Sequence, residues 1–249
     1  MIDLPWLTLL GLALTVVLAY SVYGLSGFGA NIAAMPLLAH MLPLRFAVPM
    51  LVLLDLCAGV IMVRKHGRQV DWPEIWRLAP WLLLGLVIGT TVLASASEPV
   101  LLGLLGAFVL GYGLWSLLRR AALPPISTRW ASPSGVIGGI FTALYGTGGP
   151  IYTLYLARRI PDQAVLRATI GALILGNSLV RVLMFAGTGW LTQPGLLLTS
   201  LALMPCALLG YLIGSRLYRH LSAQRAMQVV WLLLVAGGIS LLWRALGSH

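Results

Sequence analysis

The chain has 249 residues, 59% of them hydrophobic and 9% charged, with 16 basic and 6 acidic side chains and a formal net charge of +10. A soluble domain carries about a quarter charged residues. This composition, with a mean hydropathy of +0.95, therefore excludes soluble enzymes, disordered chains and secreted disulfide scaffolds, and marks an integral membrane protein. Nucleic-acid binding would need a basic face on a soluble body. Here the charges sit in short clusters between apolar runs, as cytoplasmic Lys and Arg do in membrane proteins. Cys57 and Cys206 lie in apolar stretches and form neither a disulfide framework nor a metal spacing. The first apolar run follows Met-Ile-Asp with no basic leader, and reads as a retained membrane segment rather than a signal peptide.

A membrane span takes about 20 apolar residues. In chain order, the pattern predicts an apolar stretch over 4–42, broken at Gly27-Phe28-Gly29-Ala30-Asn31, then spans over 46–63, 78–94 and 100–118. A cytoplasmic linker over 121–133 leads to a second broken stretch, 134–156, interrupted at Gly146-Thr147-Gly148-Gly149-Pro150. Spans over 166–185, 196–217 and 226–243 complete the chain, and tryptophans fall near the predicted ends.

Four basic clusters hold 13 of the 16 cations: Arg64, Lys65, Arg68 and Arg77; Arg119, Arg120 and Arg129; Arg158, Arg159 and Arg167; Arg216, Arg219 and Arg225. The connections at 95–99 and 186–194 hold none. With all four clusters in the cytoplasm, alternation is consistent if each broken stretch is a hairpin that returns to its own side. The expected fold is an all-α integral membrane protein of two inverted repeats, residues 1–120 and 134–249. Each repeat is a Gly-broken re-entrant helical hairpin plus three transmembrane helices, with both termini outside the cytoplasm. The breaks begin at Gly27 and Gly146, 119 positions apart, and Gly- or Pro-interrupted segments at corresponding places in two halves point to a transporter's binding site. Glycines that merely permit close helix packing are the competing reading.

A helix restarting after either break has unpaired N–H groups in its first turn and a partial positive charge, which suits an anion. The expected substrate-binding residues are Gly27, Phe28, Gly29, Ala30 and Asn31 from the first break, and Gly146, Thr147, Gly148 and Gly149 from the second. Asn177 and Arg181 join them, four apart on one helix face. Arg181 either binds an oxyanion through its fork or snorkels to the headgroups. Asp55, the one acid well inside a span, is either a proton-coupling carboxylate or a structural partner of Arg181 or of a backbone donor. His40, His66, His220 and His249 lie at ends and loops.

At its two breaks the chain resembles the TauE/SafE family of sulfite exporters. The first half is similar over Gly27-Phe28-Gly29-Ala30-Asn31-Ile32-Ala33-Ala34-Met35-Pro36-Leu37-Leu38, with Ala30-Asn31 where many members have further glycines. The second half is similar over Tyr145-Gly146-Thr147-Gly148-Gly149-Pro150 and Gly176-Asn177-Ser178-Leu179-Val180-Arg181. Gly67-Arg68-Gln69-Val70-Asp71-Trp72, followed by Gly85 and Gly89, adds to the match. The resemblance implies an exporter of small sulfur-containing or organic anions such as sulfite, sulfoacetate or other sulfonates, working by alternating access in the bacterial inner membrane. Its partners would be that anion and the lipid bilayer, without nucleic acid, cofactor or metal, and a homodimer is an open assembly. A membrane-embedded enzyme would need clustered acids, a buried His or an activated nucleophile, and a non-transporting scaffold or assembly factor leaves the paired breaks unexplained.

Overall fold

Helix boundaries follow glycines, prolines and capping side chains rather than the ends of the apolar runs. The computed structural model describes residues 6–118, 124–217 and 223–247. Ten α-helices are seen among them: α1 (Trp6–Ser26), α2 (Ala30–Leu38), α3 (Leu44–His66), α4 (Trp72–Ser95), α5 (Glu98–Leu118), α6 (Ala131–Tyr145), α7 (Gly149–Ala157), α8 (Gln163–Gly187), α9 (Leu196–Leu217) and α10 (Ala223–Gly247). Among the described residues there is no strand. Helices α1, α3, α4, α5, α8 and α9 are long and apolar enough to cross a membrane, and α10 carries the apolar run Leu234–Leu246. Leu14, Leu18, Leu183 and Leu201 are among many exposed apolar side chains, a surface suited to lipid.

Several boundaries differ from the hydropathy reading. Helix α4 starts six residues before the predicted span because Asp71 accepts from the Glu74 N–H at 3.2 Å and Pro73 fits the first turn. Helix α8 starts at Gln163 because Asp162 accepts from the N–H groups of Ala164 and Val165 at 2.8 and 3.0 Å. Helix α1 runs 21 residues before the first break, long enough by itself to cross a membrane, whereas α6 runs 15 before the second. Of the expected linker 121–133, residues 131–133 belong to α6, and 121–123 lie outside the described residues. So do Arg119, Arg120, Arg219, His220 and His249.

The most extensive helix interfaces are α4 with α6, α1 with α9, α5 with α10, and α3 with α8. Each joins one helix of the first half to one of the second. Glycine seams make two of these contacts close. A Cβ on Gly85 or Gly89 of α4 would fall 2.2 and 2.6 Å from the carbonyls of Val136 and Ile140 on α6. A Cβ on Gly210 or Gly214 of α9 would fall 2.3 and 2.0 Å from those of Val17 and Ser21 on α1. Val17 and Ser21 precede Val136 and Ile140 by the same 119 positions that separate the breaks.

One polar cluster ties α4 to the chain leaving α7. Glu74 is buried and takes hydrogen bonds from Arg77 (2.6 Å), Arg159 (3.0 and 3.1 Å) and the Tyr155 hydroxyl (2.8 Å).

Candidate functional site

Glycine serves the breaks for two reasons. Gly27 and Gly29 have φ of 83° and 90°, and Gly146 has φ of 72°, a region in which side chains with a Cβ are strained. Gly146 ends α6, its N–H bonding Thr142 O at 2.8 Å while Thr147 N–H folds back to Phe141 O at 3.2 Å. Gly148 is in the ordinary helical region, but a Cβ there would lie 1.9 Å from Gly138 O and 2.1 Å from Thr142 Oγ1. It is needed for packing α7 against α6.

The two breaks meet. Asn31, in the first turn of α2, donates its amide to Gly146 O at 3.2 Å and to Asp55 Oδ2 at 2.5 Å. Tyr20 of α1 donates its hydroxyl to Asp55 Oδ1 at 2.8 Å. Asp55, from α3, thus fixes α1 and α2 together, and no Asp55–Arg181 ion pair within 4 Å is found among the described residues.

A cavity of about 30 Å³ lies at this junction, room for roughly two water-sized groups. Of the expected residues, Gly29, Ala30 and Asn31, Gly146, Thr147 and Gly149, and Asn177, Arg181 and Asp55 line it. Gly27 lies instead beside Arg167 and Met62, Gly148 packs on α6, and Phe28 faces a second cavity. The sequence reading missed Tyr23, Thr142, Tyr152 and Ser178, which also line the first cavity. Thr142 and Ser178 had a usable signal: the first lies one helical turn before Gly146 and the second adjoins Asn177. The second cavity, about 350 Å³, is lined by Phe28, Tyr112, Trp115, Gln163 and Arg167 among others, and Pro150 borders both.

The cations outside the four basic clusters are Arg45, Arg181 and Arg244. Arg45 donates to the carbonyls of Leu93, Ala94 and Ala96 at the end of α4, and Arg244 to the carbonyl of Ala39 after α2, as suits helix C-termini. Arg181 differs. It is 1% exposed, so it does not snorkel, and among the described residues its Nε and Nη2 have no hydrogen-bond partner. Those two nitrogens form one edge of the guanidinium fork, the edge that takes two oxygens of an oxyanion. The Phe185 ring lies 5.6 Å from its central carbon. Thr147 Oγ1, Thr142 Oγ1 and Asn177 Nδ2 are likewise buried without partners among the described residues. An isolated buried polar group is costly, and this concentration is what makes the cavity the candidate site. Among the described residues no three of His, Cys, Asp or Glu come together as metal ligands would.

Known proteins agree in kind. The chain matches the family described as "Sulfite exporter TauE/SafE" over residues 12–241. It is 28% identical over 204 residues to the "Probable inner membrane transporter protein TsaS" of Comamonas testosteroni, covering 78% of this chain and 83% of the relative. It is 25% identical over 232 residues to the "Probable sulfite/organosulfonate exporter TauE" of Cupriavidus necator, covering 90% of this chain and 89% of the relative. No solved structure matches it. With a family match over nearly the whole chain and six helices fit to cross a bilayer, this multi-pass bacterial inner-membrane protein is a transporter, not an enzyme, and belongs to the sulfite exporter TauE/SafE family.

Proposed function

We propose that the protein exports sulfite or a small organosulfonate by alternating access around the cavity at the two helix breaks. The observation that carries this reading is Arg181, buried at 1% exposure beside the cavity with its Nε and Nη2 unpartnered. The first turns of α2 and α7 add backbone donors and partial positive charge. Thr147 and Asn177 supply side-chain donors, and Asp55 positions Asn31. The anionic head places two of its oxygens in the small cavity, and an organic tail extends past Pro150 into the 350 Å³ chamber.

Two halves of opposite orientation, each a re-entrant hairpin and three spans, suit this mechanism because one half can rock against the other around a fixed site. The exchanged seams support the two-fold relation: α4 meets α6 at Val136 and Ile140 as α9 meets α1 at Val17 and Ser21. The test is flux of labelled sulfite into proteoliposomes holding the purified protein. Uptake well above that of protein-free vesicles is expected, and uptake equal to theirs would remove the reading.

A further inference from the structure

Asn31 carries a hydrogen-bond acceptor that nothing in the described protein uses. Its amide nitrogen has two hydrogens, and both are engaged, one on Asp55 Oδ2 and one on Gly146 O. Gly146 O can only accept. A flipped amide would set oxygen against oxygen there and against the Asp55 carboxylate, so the network fixes the orientation. Oδ1 is left buried without a partner, on a side chain 5% exposed that lines the cavity.

Among the described residues the other unpartnered groups at the cavity can all donate, namely Arg181 Nε and Nη2, Asn177 Nδ2 and the hydroxyls of Tyr23, Thr142 and Thr147, whereas Asn31 Oδ1 can only accept. A bare oxyanion satisfies these and leaves Asn31 Oδ1 unmet. An anion with its own O–H or N–H satisfies both sets. Charge argues the same way. Arg181 is the one cation lining this cavity among the described residues, and Asp55 lines it too. A second negative charge on the ligand would face Asp55 with no second cation to offset it.

We propose that the site selects a monoanion bearing its own hydrogen-bond donor, hydrogen sulfite over the sulfite dianion, with Asn31 as the residue that reads the donor. The proposal rests on the transport reading above. It is tested by competition against labelled sulfite uptake in proteoliposomes, using sulfamate and methanesulfonate, tetrahedral monoanions of similar size that differ in NH₂ against CH₃. Sulfamate should compete about tenfold or more better, because a site built to bond a donor penalises the analogue lacking it. Asn31→Ala should bring the ratio toward one, and if that variant does not fold the wild-type ratio still decides. Equal competition, or preference for methanesulfonate, overturns the donor requirement while leaving transport intact. Absence of sulfite uptake by the wild type overturns the transport reading and this inference with it.

Discussion

Asn31 in the first helix break donates to the carbonyl of Gly146 in the second at 3.2 Å, across 115 positions of sequence. A Cβ on Gly146 would fall 2.1 Å from that same amide nitrogen, at a φ of +72°. Gly146→Ala should therefore strain the turn by about 1 to 3 kcal/mol and push Asn31 off Asp55. Sulfite affinity should fall at least about tenfold, together with a lower unfolding temperature. Gly176→Ala is the matched control, since nothing lies within 4 Å of its added methyl. It should leave the unfolding temperature unchanged or slightly raised.

Gly148 separates packing from binding. Its Cβ would overlap Gly138 O, backbone that has no rotamer with which to yield. Gly148→Ala should reduce the yield of folded, monodisperse protein in detergent. A well-folded Gly148→Ala protein altered only in sulfite affinity would contradict this packing role.

The two glycine seams should respond alike. Gly85→Leu and Gly210→Leu each drive a side chain into a backbone carbonyl, of Val136 and Val17, at about 3 kcal/mol, the upper end of overpacking costs. Thermal unfolding of the two variants should shift by similar amounts. A large shift in one and none in the other would break the two-fold correspondence.

Arg181 also predicts a conflict between stability and function. A buried guanidinium edge without partners destabilises the ligand-free protein. Arg181→Met should raise ligand-free stability by about 1 kcal/mol or more, measured as unfolding temperature, while sulfite binding is lost. A clear drop in that temperature would assign Arg181 a structural role.

Orientation can be read by labelling. In a background with Cys57→Ala and Cys206→Ala, Ser97→Cys and Thr188→Cys should react with an impermeant maleimide outside intact cells, and Arg129→Cys should not. The reverse pattern would invert the topology.

Hydropathy and charge made the helices and the paired breaks legible, because a bilayer imposes a 20-residue apolar length and Gly breaks stand out within it. Cap-driven extensions were hidden, as at α4, where Asp71, Pro73 and Glu74 act before the apolar run starts. Within the site, Asn31, Thr147, Asn177 and Arg181 could be read because polar groups in apolar segments are conspicuous. Gly148 could not be told from Gly146 on sequence, since one is required by a crossing carbonyl and the other by its own φ. Tyr23 and Tyr152 were invisible because only the tertiary meeting of α1 and α7 brings them to one cavity.

The central claim is that Arg181 holds the anion between the two breaks, and the affinity of Arg181→Gln for sulfite measures it most directly. A charged hydrogen bond contributes about 1.5 to 3 kcal/mol, so the account predicts a roughly tenfold to hundredfold weaker dissociation constant in a variant that remains folded. An Arg181→Gln protein that binds sulfite as tightly as the wild type would contradict it.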